Sequence, residues 1–152
     1  MAEQIVVGTD GSETAKVAVK EAVRLAKSLG AGVHLVSSYK PLRGAKIAGA
    51  PEGAAKVWAP LPDASVEAIL SEAAAGVRMQ EVEVETHSLE EEPADALLKV
   101  AGKVGASMIV VGSRGMHGAK RVLGSVPNAV SHKANCNVLI VWTELPVASS
   151  DG

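Results

Sequence analysis

Phenylalanine is absent from this 152-residue chain, and one Tyr and two Trp are its only other aromatics. A protein that binds single-stranded nucleic acid stacks bases on such rings and tracks the backbone with surplus Lys and Arg. With few rings and a net charge of −2, no nucleic-acid partner is expected. The single cysteine, Cys136, has no second thiol to bridge. No apolar run approaches the roughly 18 residues of a membrane span, so no membrane partner is expected either. The start, Met1 to Gln4, lacks the basic and apolar regions of a secretory signal, which predicts a cytoplasmic protein. Two nucleotide fingerprints are also missing: there is no GxxxxGK[ST] run, and Gly8-Thr9-Asp10-Gly11-Ser12 stands where GxGxxG would follow a first strand.

What the chain does have is 15 Gly and an apolar fraction of 47%, mostly small and aliphatic, which lets helices sit close to a sheet. At this length roughly 70% of the unfolded surface is buried on folding, enough for one domain without disulfides or structural metal. Ile5-Val6-Val7 predicts a buried strand ending in a glycine turn. From Ser12, apolar residues at three- and four-residue spacing predict a helix as far as Leu29, with Gly30 as its stop. Val33 to Tyr39 predicts a second strand, and residues 40–62, with four Pro and three Gly, form one long irregular segment. Asp63 to about Gly76 has a helical pattern. Val82 to Ser88 alternates with period two, as an edge strand with one solvated face does. Glu90-Glu91-Glu92-Pro93 is a solvated helix entry suited to the dipole, and Met108 to Val111 is the continuous apolar run of a central parallel strand. A helix from about Ser125 to Ala134 and a strand over Val138 to Trp142 complete the pattern. Strand and helix alternate throughout, which predicts an α/β domain, doubly wound on a five-stranded parallel sheet, over residues 1–143, with a flexible tail at 144–152.

In such sheets ligands bind beyond the carboxyl ends of the strands. Two glycine loops occupy such ends: Gly8 to Ser12 after the first strand, and Gly112-Ser113-Arg114-Gly115 after the fourth, followed by Gly118 and Gly124-Ser125. Glycines admit backbone N–H groups to an anion, and Gly124-Ser125 opens a helix whose first amides are unpaired. Arg114, Lys120 and Arg121 add local positive charge, which points to an anionic ligand. Ser125 can bond a phosphate oxygen through its hydroxyl or cap the helix, and the two uses are compatible. Asp10 suits a ribose diol, since a carboxylate accepts paired hydroxyl bonds; as a phosphoryl acceptor it would lack the second acid, Ser12 standing two residues on.

The opening Ile5 to Ser12, the block Met108 to Gly115, and the stretch from Gly124-Ser125-Val126-Pro127 through Cys136 to Val141 resemble the universal stress protein family, over about residues 3–143. The Gly-Ser-Val-Pro-Asn stretch is similar to actinobacterial members. The family's nucleotide-binding branch carries Gly, two residues, Gly, nine residues, then Gly-Ser or Gly-Thr; here Gly112, Gly115 and Gly124-Ser125 match, but Met116 to Leu123 is one residue shorter. The resemblance implies strand order 3-2-1-4-5 and an adenine-nucleotide ligand, ATP or cyclic AMP. It implies that Gly8, Thr9 and Asp10 contact adenine and ribose, that Ser38 lines the adenine pocket, and that Gly112, Gly115, Gly124, Ser125 and Val126 hold ribose and phosphates. Mg2+ or Mn2+ would arrive only with a bound triphosphate, since no Asp/Glu/His cluster has ligand spacing of its own and no protein metal site is expected. The resemblance also implies a homodimer through Val138 to Trp142, an apolar edge that needs a partner.

No catalytic residue is assigned. Of His34, His87, His117 and His132, His117 is best placed for chemistry, and the others suit structural or surface roles; Cys136 suits a packed thiol. The expected function is nucleotide-dependent regulation in a stress response without dedicated catalysis. The alternatives are a slow ATPase or autophosphorylating enzyme, which would need a base or water-positioning residue, and an interaction dimer with an empty crevice.

Overall fold

A computed structural model describes residues 2–39, 62–113 and 124–143. The segments 40–61 and 114–123, with Gly115, Gly118, Arg114, His117, Lys120 and Arg121, and the tail 144–152 lie outside the described residues.

Five strands run in the order β3-β2-β1-β4-β5, every neighbouring pair parallel. They are β1 (Gln4–Gly8), β2 (Gly32–Ser38), β3 (Val84–Leu89), β4 (Met108–Gly112) and β5 (Asn137–Val141). The helices are α1 (Glu13–Leu29), α2 (Pro62–Met79), α3 (Pro93–Val104) and α4 (Ser125–Lys133). This is the fold class and strand order expected from the sequence.

The central strand explains the arrangement. Ile5, Val6 and Val7 are wholly buried, because alternate side chains enter separate cores on the two faces. Ile5, Val7, Val33, Leu35 and Val110 lie in one core, beneath α1 and α2. Val6, Val36, Ile109 and Val111 lie in the other, with α3 and α4. Each such aliphatic side chain is worth roughly 1.5–3 kcal/mol relative to exposure. On α1 the buried residues are Ala18, Ala22, Val23 and Ala26. That small-residue stripe is where the helix lies close to the sheet.

Two boundaries differ from expectation by more than one residue. Helix α2 continues past Gly76 to Met79, because Val77, 2% exposed, still has core to enter and Gly76 costs only its propensity. The chain then turns through Glu81, whose φ of 62° is left-handed, and β3 begins at Val84 rather than Val82. Strand β3 is an edge, as its alternation predicts, and β5 is the other. No helix among the described residues is long and apolar enough to cross a membrane.

Strand β1 leads to α1 on one face of the sheet, whereas β4 leads, through 114–123, to α4 on the opposite face. Adjacent strands whose continuations diverge in this way leave a crevice at their carboxyl ends.

Candidate functional site

The turn after β1 is fixed by its own side chains. Thr9 N–H donates to the Val36 carbonyl at 2.9 Å, tying the turn to β2. Thr9 Oγ1 accepts from Gly11 N–H at 3.2 Å, and Asp10 Oδ1 accepts from Ser12 N–H at 2.9 Å. Gly11 adopts a φ of +83°, a conformation that disfavours any side chain. Ser12 caps α1, its Oγ accepting from Ala15 N–H at 3.1 Å. Asp10 is left exposed, oriented through one oxygen by the turn.

The end of β4 is held differently. Ser113 N–H donates to the Val141 carbonyl at 2.8 Å, and Thr143 N–H donates to Ser113 Oγ at 3.1 Å. A Cβ on Gly112 would stand 2.8 Å from Thr143 Cγ2, so this glycine is required by packing whatever it binds. Gly124 N–H donates to the Ser113 carbonyl at 3.1 Å, which brings the two ends of segment 114–123 together.

Gly124, not Ser125, is the N-cap of α4, and no side chain caps it. This corrects one of the two roles read for Ser125: it is the first helical residue, exposed, with its hydroxyl available. Pro127 has no N–H, and Asn128 N–H already donates to the Gly124 carbonyl, so the unclosed amides at this end are those of Ser125 and Val126. Of the helix starts after β1 and β4, α1 is closed by its serine and α4 is open to an anion.

These features converge on a cleft of about 220 Å³. Eight of the nine residues expected at the site line it: Gly8, Thr9, Asp10, Ser38, Gly112, Gly124, Ser125 and Val126. Gly115, the ninth, is outside the described residues. Ser37, Pro93, Leu97 and Pro127, which the sequence did not point to, also line it. Pro93 and Leu97 come from α3, whose sequence carries no ligand-binding motif, so only the tertiary packing reveals them. A Cβ on Gly8 would approach Leu97 to 3.3 Å, which shows how closely that helix covers the end of β1. Among the described lining residues, Asp10 is the one titratable group and none is aromatic. The arrangement offers backbone donors, hydroxyls, one carboxylate and an aliphatic wall. Among the described residues it offers no paired acid and base.

A second polar cluster lies apart from the cleft. His34 on β2 is in register with Glu85 on β3, and His87, two residues on, shares that face. His34 Nδ1 lies 3.0 Å from His87 Nε2 and 3.7 Å from Glu85 Oε1. The sequence left these histidines as structural or surface residues and found no acid–histidine cluster. Instead the parallel register joins residues about fifty apart. Burial, opposed by the nearby Glu85 carboxylate, holds the His34 pKa below the ordinary imidazole value. Burial, helped by repulsion from His34 and Lys103 and opposed by Glu85, does the same for His87. Cys136 is half-buried and its thiol is pushed up by burial, in keeping with a packed thiol. His132 Nδ1 lies 2.8 Å from the Asn128 carbonyl on its own helix.

Residues 1–141 match the sequence profile of the Universal stress protein family. The chain belongs to that family. Among curated members, the universal stress protein Rv1636 of Mycobacterium tuberculosis is 37% identical over 150 residues, covering 91% of this chain and 95% of that protein. Among solved structures, a universal stress protein in complex with cAMP superposes with a TM-score of 0.71 at 31% identity, over 94% of this chain and 98% of the other. A universal stress protein of Archaeoglobus fulgidus in complex with dAMP gives 0.67 at 26% identity, over 91% and 97%.

Proposed function

We propose that this universal stress protein binds an adenine nucleotide, ATP or cyclic AMP, in the cleft between β1 and β4. The observation that carries the proposal is the open start of α4 facing the same cleft as the exposed Asp10. The start of α4 offers unpaired amides to phosphate, and Asp10 offers a carboxylate to a ribose diol. Relatives crystallised with cAMP and with dAMP support an adenine nucleotide as the ligand class.

Gly8, Thr9 and Asp10 receive adenine and ribose, Ser38 borders the base, and Gly112, Gly115, Gly124, Ser125 and Val126 take ribose and phosphates. At about 220 Å³ the cleft is smaller than the roughly 300–1,000 Å³ typical of ligand pockets, so it suits part of a nucleotide, not an enclosed whole. The described lining residues offer the base backbone hydrogen bonds and an aliphatic wall rather than a ring. A triphosphate would bring its own Mg2+ or Mn2+, since Asp10 is the only carboxylate among the described lining residues.

The same inventory favours a binding protein over a phosphoryl-transfer enzyme, which needs a group positioned on water or on an acceptor hydroxyl. We read the protein as a nucleotide-dependent regulator in a stress response, working as a homodimer through Val138 to Trp142. On β5, Val138 to Val141 are half-buried, and Trp142 just beyond is 62% exposed. On β3, by contrast, the exposed Glu85 guards the edge.

Calorimetric titration with ATP and with cyclic AMP tests the ligand. The wild type should bind at least one of them, and Asp10→Ala should bind it about tenfold more weakly, the loss of roughly one charged hydrogen bond. No heat of binding at millimolar nucleotide refutes the proposal.

A further inference from the structure

Three candidate ligand atoms, His34 Nδ1, His87 Nε2 and a Glu85 carboxylate oxygen, lie within 4.8 Å of one another. We propose that they form a binding site for one late first-row divalent cation, with Zn2+ as the ion that best suits them. Two imidazoles and a carboxylate are a recurrent three-ligand set for zinc, leaving the fourth tetrahedral position to water.

The surroundings of His34 favour this over an incidental contact. Its Nε2 lies 2.6 Å from Gln4 Oε1 and donates to it. The Gln4 amide is itself oriented, its nitrogen donating to the Ala2 carbonyl at 3.2 Å. The carbonyl end of that amide is therefore the end facing His34. With Nε2 carrying the proton, Nδ1 presents its lone pair to His87 and Glu85. This is the outer-sphere arrangement that fixes tautomer and ring orientation in metal sites. Room for it comes from Gly32, where a Cβ would stand 3.0 Å from Gln4 Oε1.

Access and charge are also suitable. His34 is 6% exposed, whereas Glu85 is at the edge of the sheet with its side chain 71% exposed, so the site has a rigid buried ligand and a solvent-facing entry. Without metal, His87 Nε2–H donates to His34 Nδ1. On binding, that proton moves through solvent to His87 Nδ1, and both lone pairs face the ion with no net proton lost from the pair. The Glu85 charge offsets half of the ion's, while Lys103, near the end of α3, opposes it. Lys103→Met should therefore tighten binding.

The test is calorimetry of Zn2+ into the full chain, without an affinity tag and after EDTA treatment. The expected result is one Zn2+ per chain, with Gln4→Ala weakening binding by about 10- to 100-fold, as loss of an outer-sphere partner does. His87→Ala and Glu85→Gln should weaken it at least as much. Histidine ring-nitrogen NMR of the wild type, which needs no variant to fold, should show Zn2+ shifting His34 Nδ1 and His87 Nε2. Absence of saturable binding, or shifts at His117 or His132 instead, overturns the proposal.

Discussion

Gly112 shows that one residue can satisfy two demands. Its place at the end of β4 reads from the sequence as ligand access, yet the structure puts Thr143 Cγ2 2.8 Å from where its Cβ would be. Gly112→Ala should therefore destabilise the protein by about 1–3 kcal/mol, the usual cost of overpacking, before any ligand is added. Urea denaturation measures this. Thr143→Ser removes the offending methyl and keeps the hydroxyl, so the double variant should recover most of the loss. The histidine pair gives a pH dependence. Burial lowers the pKa of both rings below the ordinary imidazole value of about 6.5, with Glu85 opposing in each case, and with the His34 ring and Lys103 adding to the lowering at His87. Lowered folded-state values mean that the unfolded chain takes up protons first. Stability from this pair is thus complete above about pH 6.5 and is lost as pH falls through the folded-state values. Urea midpoints between pH 7.5 and 5 should fall in the wild type and fall less steeply in His87→Gln. Neither Thr143 nor the His34–Glu85–His87 grouping was legible in the sequence, because each depends on which strands become neighbours and in what register.

Elements were far more legible than contacts between them. Every strand and helix among the described residues was foreseen from periodicity and glycine stops, since each core-facing pattern is a property of neighbouring residues. Misplacements occurred where tertiary burial overrode a local signal, as at Gly76, where buried Val77 carries α2 onward. Capping was half legible. Ser12 accepts from Ala15 N–H as an N-cap does, whereas Ser125 follows the cap and its hydroxyl makes no such bond. Ser12→Ala should cost about 1 kcal/mol in thermal or urea unfolding. Ser125→Ala should leave stability within about 0.5 kcal/mol, as exposed substitutions do, and weaken nucleotide binding instead. At the other edge, sedimentation velocity should show Trp142→Asp shifting the protein from dimer toward monomer. An unchanged dimer would place the interface elsewhere than β5.

At the scale of the whole molecule, the fold brings two glycine turns from distant parts of the chain to one crevice, because β1 and β4 are neighbours whose continuations pass to opposite faces. That convergence was legible once the alternation of strands and helices was read as a doubly wound sheet. The α3 wall of Pro93 and Leu97 was not, because it depends on packing rather than on any local pattern. The molecule also carries a larger groove of about 730 Å³ between α1 and α2, lined by Val19, Lys20, Lys27 and Ile69. Its lysines offer phosphate an alternative place to bind. Amide chemical-shift mapping with added ATP and cyclic AMP distinguishes the two locations. Binding between β1 and β4 should move the amides of Gly8, Gly112, Ser125 and Val126, which line that cleft alone, while those of Lys20, Lys27 and Ile69 stay in place; shifts confined to the α1–α2 groove would contradict it.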